Sequence, residues 1–161
     1  MTVHGVWHVG FSVRDIEASI RFYSEGLGLT LVHRQSQDND YTHKLVGYPD
    51  ANLNIAQFAI TGVEGPASGH VLELIEYVTP RGEQIDPQNN RIAAGHLAFE
   101  VDDMDATVAR LRELGARFVS DPVQITAGIN KGGRTVYLYD PDGVTLELLQ
   151  PRRRMPEAVS P

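Results

Sequence analysis

The chain has 161 residues, enough for one ordinary domain or for two small modules, with 42% hydrophobic and 22% charged residues, as in a water-soluble globular protein. Fourteen basic residues against twenty-one acidic ones give a net charge of −7. No basic stripe is present to follow a phosphate backbone, which argues against nucleic acid as a partner. Cysteine is absent, which excludes disulfides, thiolate catalysis and Cys-ligated metals, so any metal must be held by nitrogen and oxygen. No stretch approaches the roughly 18 apolar residues of a membrane span, and the start of the chain has no secretory pattern, so neither a membrane nor export is expected and the cytoplasm is the expected location.

Residues 7–13 alternate, with Trp7, Val9, Phe11 and Val13 on one face and His8, Gly10 and Ser12 on the other. That is a strand whose first face meets the core. Asp15 then suits an N-cap, Ile16, Ile20, Tyr23 and Leu27 recur at helical spacing, and Gly26 and Gly28 stop the helix. Residues 29–34 and 53–60 read as strands separated by the polar stretch 35–52. A loop over 62–69 leads to a strand over 70–78, with Leu72 and Leu74 on the core face and Val71, Glu73, Ile75 and Tyr77 opposite.

Residues 80–94 read as a linker, after which the pattern restarts. His96, Ala98 and Glu100 stand opposite Leu97, Phe99 and Val101, and Asp102 or Asp103 caps a helix carrying Met104, Val108, Leu111 and Leu114 that stops at Gly115. Strands are expected over 116–120 and 134–139. The turn Asp140-Pro141-Asp142-Gly143 joins the latter to a strand over 144–150, where Leu146 and Leu148 face the core and Glu147 does not. The fold class is therefore α+β, a single domain over 1–161 made of two tandem βαβββ modules. The first spans 5–79, 80–94 links it to the second over 95–150, and 151–161 is a tail. If each sheet curves, the two form a curved mixed sheet around a cleft.

The halves correspond, but 65 residues separate His8 from Glu73 and 51 separate His96 from Glu147, which leaves 14 extra residues in the first half. They fall in the 35–52 and 61–69 loops, where substrate specificity would naturally sit. Each half supplies one His on its first strand and one Glu on its last, all on the face turned away from the helix. If the concave faces are placed together, His8, Glu73, His96 and Glu147 converge. Two neutral imidazoles and two carboxylates suit one divalent cation, Zn, Ni, Co, Mn or Fe(II). The competing reading is that the histidines are strand ends kept by duplication and the glutamates face solvent; four residues at matched places weigh against it. His4, His33, His43 and His70 have no counterparts in the other half, and His70 reads as a strand-end or surface residue.

These motifs carry a resemblance. His8-Val-Gly-Phe, Asp15-Ile-Glu-Ala-Ser-Ile-Arg-Phe-Tyr, Gly26-Leu-Gly, Leu72-Glu-Leu, Gly95-His-Leu-Ala-Phe-Glu-Val-Asp-Asp, Lys131-Gly-Gly, Asp140-Pro-Asp-Gly and Leu146-Glu-Leu together resemble the vicinal oxygen chelate superfamily. That superfamily includes glyoxalase I, methylmalonyl-CoA epimerase, extradiol dioxygenases and bleomycin and fosfomycin resistance proteins; the first two stand closest in motif. The resemblance covers about residues 5–150 and implies a metal-dependent lyase or isomerase. Such an enzyme chelates vicinal oxygens of a small carbonyl substrate and shuttles a proton through an enediolate. By the same resemblance His8, Glu73, His96 and Glu147 are the metal ligands, Glu147 is the proton-shuttling carboxylate, and Glu73 is the opposite ligand and a second base. The longer first module departs from the glutathione-adduct enzymes.

Two other readings stand beside this one. In an Fe(II) ring-cleaving dioxygenase, Tyr137 or Tyr139 has a place but the fourth ligand Glu73 closes a site that oxygen needs open. A resistance protein that binds a small molecule without catalysis has no need of all four ligands. Lys131, Tyr139 and Asn54 are further candidates for substrate contact. Exposed sheet edges lead to the expectation of a homodimer.

Overall fold

The computed structural model describes residues 2–3, 5–60, 71–86 and 88–152. The strand end at His70, the 62–69 loop, His4 and most of the 151–161 tail lie outside the described residues. The chain divides into two compact units, 1–86 and 87–161, and each builds its own mixed sheet. No helix among the described residues is long and apolar enough to cross a membrane.

In the first unit β1 (Val9–Val13) is followed by α1 (Ile16–Arg21), β2 (Thr30–Gln37), α2 (Asp40–Val46), β3 (Asn52–Ala59) and β4 (Val71–Thr79). The strand order is β1-β4-β3-β2, with β1 parallel to β4 and the other pairs antiparallel. Asp15 caps α1 by accepting hydrogen bonds from the backbone N–H groups of Glu17 and Ala18, as its place before the apolar pattern predicts. The helix widens into a π-helical turn over Phe22–Gly26, which rotates the buried side toward Ser19, Phe22 and Tyr23 and leaves Ile20 and Leu27 only half-buried. Gly28, at φ +73°, ends the helical segment in the left-handed region that favours glycine. Tyr23 meets Phe58 of β3 at 6.2 Å between ring centroids, so α1 covers the sheet face that carries Ala56, Phe58, Leu72 and Leu74.

Two expectations need correction here. Trp7 is not a core residue: β1 begins only at Val9, and Trp7 is 80% exposed, with no strand partner among the described residues. The stretch 35–52 is not simply a polar connection. β2 runs on to Gln37, and α2 follows with Asn39 as N-cap, accepting from Thr42 N–H, and Gly47 at φ +78° as its stop. The segment is too short and too polar for an apolar helical period to show in it.

In the second unit β5 (His96–Glu100), α3 (Met104–Glu113), β6 (Arg117–Phe118), β7 (Val123–Gln124), β8 (Arg134–Tyr139) and β9 (Thr145–Gln150) follow in order. The sheet runs β5-β9-β8-β6, with β7 added beside β8 and β5 parallel to β9. Asp103 caps α3, which buries Met104, Thr107, Val108 and Leu111. The turn at Asp140 forms as expected: its carboxylate accepts from the N–H groups of Asp142 and Val144, and Gly143 takes φ +87°. The short β7 was not expected, since two residues carry no periodic signal. The α+β class holds in both units, while the βαβββ order is interrupted by α2 in the first and gains β7 in the second.

Candidate metal centre

In the first module the register of three strands builds the site. β1 and β4 place Gly10 beside Glu73, and β3 and β4 place Gln57 directly across from it. Paired residues on adjacent strands share a face, so Gly10, Glu73 and Gln57 form one row on the side away from α1. His8 immediately precedes β1 and has the parity of Gly10, and the missing side chain at Gly10 leaves its ring room. His8 Nε2 lies 3.6 Å from Glu73 Oε1, and Gln57 Nε2 donates a hydrogen bond to Glu73 Oε2 at 2.6 Å. The Glu73 side chain is only 13% exposed, so this amide supplies most of what replaces water around one carboxylate oxygen, while the other is left facing the imidazole.

The second module repeats the plan with different support. Ala98 and Tyr137 flank Glu147 in register. His96 Nε2 lies 3.3 Å from Glu147 Oε2, and Thr135 Oγ1 donates to Glu147 Oε1 at 2.6 Å while standing 3.0 Å from the carbonyl of Leu148. The Tyr137 ring meets the His96 ring edge-on at 5.2 Å between centroids, with its hydroxyl 3.4 Å from Nε2. Burial, and then the negative charge of Glu147, push the Tyr137 phenol above its ordinary value and keep it protonated.

Each module thus presents a histidine nitrogen and one carboxylate oxygen facing it, the other oxygen being tied back by a neutral donor. Nitrogen and oxygen at this spacing are the donor types a divalent cation of borderline or hard character takes, and tying back the second oxygen presents the carboxylate through a single atom. Among the described residues no group of three or more His, Asp or Glu side chains gathers on one module. The donor set is a pair per module.

The remaining candidates fall in different places. Tyr139 shares the face of Tyr137 and Glu147, and the Arg117 guanidinium lies 5.2 Å from its ring centroid. Asn54 lies on the α1 side of its sheet, opposite Glu73. It has the parity of Ala56 and Phe58, accepts from Ser36 Oγ and donates to Glu76, so it is no substrate contact on the Glu73 face. Lys131 is exposed in the loop before β8, where its N–H bonds the carbonyl of Gly128. His43 serves α2: its Nε2 lies 3.1 Å from both the Asp38 carboxylate and the carbonyl of Ala51. Gln57 and Thr135 are the supports that sequence reasoning passes over as bearing on the glutamates. Only the strand register, which no local pattern reveals, puts them there.

Residues 5–148 match the model of the Glyoxalase/Bleomycin resistance protein/Dioxygenase superfamily. The chain belongs to this superfamily. Among its relatives in the superfamily, a protein from Actinomyces sp. named 2-epi-5-epi-valiolone epimerase is 36% identical over 148 residues, covering 89% of this chain and 78% of the relative. A probable lactoylglutathione lyase of Vibrio cholerae is 30% identical over 152 residues, covering 93% of each chain. In fold, the chain is similar to a glyoxalase family protein of Bacillus cereus, with TM-score 0.77, 22% identity and coverage of 95% of this chain and 97% of the other. It is similar also to the fosfomycin resistance protein FosX of Listeria monocytogenes, a structure complexed with Mn(II) and sulfate, with TM-score 0.58, 17% identity and coverage of 92% and 93%.

Proposed function

We propose that this superfamily member is a metal-dependent isomerase or lyase that moves a proton next to a carbonyl group of a small substrate. The observation that carries the reading is the repeated pair. In both modules a histidine Nε2 stands 3.3 to 3.6 Å from one glutamate oxygen, and a neutral side chain holds the other oxygen at 2.6 Å. His8 with Glu73, and His96 with Glu147, would each offer a divalent cation one neutral imidazole and one carboxylate. Bound there, the cation supplies Lewis-acid stabilisation of negative charge on adjacent oxygens.

The protein groups supply the proton chemistry. Glu147 accepts a substrate C–H proton at Oε2 and returns it, while the bond electrons pass into the neighbouring carbonyl and back, so nothing is oxidised or reduced. Thr135 keeps Oε1 out of that exchange. Glu73, clamped by Gln57, is the steadier ligand and would serve as a second base, which an epimerase needs and a one-base shuttle does not. The names of the relatives, an epimerase and a lyase, support this class of reaction. Among the described residues β1 and β2 are the edge strands of the first sheet and β5 and β6 of the second, and such edges support a homodimer.

The test is reconstitution with Zn, Ni, Co, Mn or Fe(II), followed by metal analysis and proton exchange in D₂O. The substrates are 2-epi-5-epi-valiolone and the hemithioacetal of methylglyoxal with glutathione. Glu147→Gln is expected to retain most of the bound metal and to lose exchange by about a hundredfold or more, the scale of a lost general base. Full exchange in that variant overturns the role of Glu147. Oxygen uptake with a catechol on the Fe(II) form replaces the reading with ring cleavage, and absence of bound metal replaces it with sequestration.

A further inference from the structure

We propose that α2 and the strand residues beneath it form a closed, apolar end wall to the substrate site of the first module, selecting a substrate that turns a compact, uncharged group toward it. This rests on the proposed metal-dependent reading and adds the substrate's character to it. The wall stands on the Glu73 face. Leu53, Ile55 and Gln57 alternate along β3 and pair with Tyr77, Ile75 and Glu73 of β4, so all six share one side of the sheet. A register shift between Asn52 and Leu53 precedes this run without interrupting it.

Ala51, Leu53 and Ile55 are buried there at 0%, 2% and 7% exposure, with Val46, Ile75 and Tyr77 packed against them. Val46 is the last residue of α2, and Tyr48 just beyond it meets Tyr77 edge-on at 6.1 Å. The cover is held at several points. Asn39 and Gly47 cap the helix, His43 ties it to the carbonyl of Ala51, and the buried Thr42 hydroxyl lies within hydrogen-bond distance of the Gln37 and Asn39 side-chain oxygens.

Ile55 and Ile75 stand two residues along their strands from Gln57 and Glu73, about 7 Å away. Along β3 and β4 the side chains next to Gln57 and Glu73 on this face, Ile55 and Ile75, are uncharged, and Ile75 and Tyr77 are half-buried, whereas His33 stands across from Gln57 on β2. A charged group pressed against this wall would lose water without gaining a partner. The second module has no helix between its last three strands, so the wall belongs to the first alone.

The experiment uses full-length Mn(II)-loaded protein and water-proton relaxation to follow binding of three hydroxamates that share one chelating head. Isobutyrohydroxamate is expected to bind at least about tenfold more tightly than hexanohydroxamate or succinic monohydroxamate, the scale on which an apolar pocket rejects extra length or charge. Ile75→Ala should shift the preference toward the hexanoyl compound by about fivefold, and Val46→Ala, a milder change on the helix, should do so in the same direction. Succinic monohydroxamate binding as tightly as the isobutyryl compound overturns the proposal. Unchanged preferences in both variants, each confirmed folded by circular dichroism, also overturn it. If Mn(II) binds and no hydroxamate does, the wall lines no binding site; if Mn(II) itself does not bind, the metal reading fails and takes this inference with it.

Discussion

Gln57 and Tyr137 stand at the same position of the two sheets, each directly across an antiparallel pair from the glutamate proposed as a ligand. Duplication has kept the glutamates and changed what supports them. Gln57 holds Glu73 with a donor that carries no labile charge, whereas Tyr137 places a titratable hydroxyl between His96 and Glu147, and the hydrogen bond to Glu147 Oε1 comes from Thr135. Gln57→Leu removes the amide hydrogen bond that Glu73 Oε2 accepts. Because hydrogen bonds to charged groups contribute about 1.5–3 kcal/mol, divalent metal binding should weaken by about tenfold, measured by competition with a chromophoric chelator.

The Tyr137 phenol is held above its ordinary value of 10.0 by burial and by the charge of Glu147. A raised value in the folded state means a contribution to stability that is complete below the unfolded value and lost as the pH climbs through the folded one. Alkaline titration at about 295 nm, where phenolate absorbs, should therefore show Tyr137 ionising after the exposed tyrosines. Glu147→Gln should move it back part of the way, since the charge of Glu147 and its hydrogen bond to the phenol are the causes that follow burial. A Tyr137→Phe difference spectrum that places its ionisation with the exposed group removes the electrostatic link.

Leu72 and Leu74 flank Glu73 on β4 and point the other way, and both are essentially fully buried. Leu74→Ala should cost about 2–5 kcal/mol of stability, the range for a buried leucine whose space does not collapse, read from urea unfolding. With the strand retained, metal binding by the folded fraction should stay within a factor of about three of the parent, because the truncated side chain packs on the α1 side of the sheet, away from the carboxylate.

Gly133 permits a close approach at the start of β8. An added Cβ would stand 2.6 Å from the carbonyl oxygen of Gln150 and 3.2 Å from that of Asn130, both rigid backbone atoms. Gly133→Ala should therefore destabilise the second module by about 1–3 kcal/mol, as overpacking does. Faster amide exchange at Ile125, whose N–H bonds the Gly133 carbonyl, should accompany the loss. Unchanged exchange there would show that the strands accommodate the methyl group.

Much of this fold is legible in the sequence, and the reason is periodicity. Alternation in residues 70–78 and 144–150 separates Leu72, Leu74, Leu146 and Leu148 from Glu73 and Glu147, and the folded sheets keep that separation. Asp15 and Asp103 are legible as caps because a cap is a local event. Trp7 misleads because the alternation of the sequence starts ahead of β1, which begins at Val9. α2 is hidden because its seven residues hold only Leu45 and Val46 as aliphatic signals, and its stability comes from caps and from burial against β3. Polarity does not report the face that Asn54 occupies, and Gln57 and Thr135 can be assigned only once strand partners are known.

The register that sets Gly10, Glu73 and Gln57 in one row has a consequence for how such a chain can change length. A single residue inserted into β4 ahead of Glu73 would turn its carboxylate under α1 and bring a leucine to the surface in its place. Length can be gained or lost only where the chain leaves the ladder. The 14 additional residues of the first module between His8 and Glu73 illustrate the rule: part of the stretch between β2 and β3 became a capped helix, while the rows around both glutamates kept one pattern. The proposed substrate range can thus drift through one connection while the proposed acid–base residues are held in place by the arithmetic of the pleat.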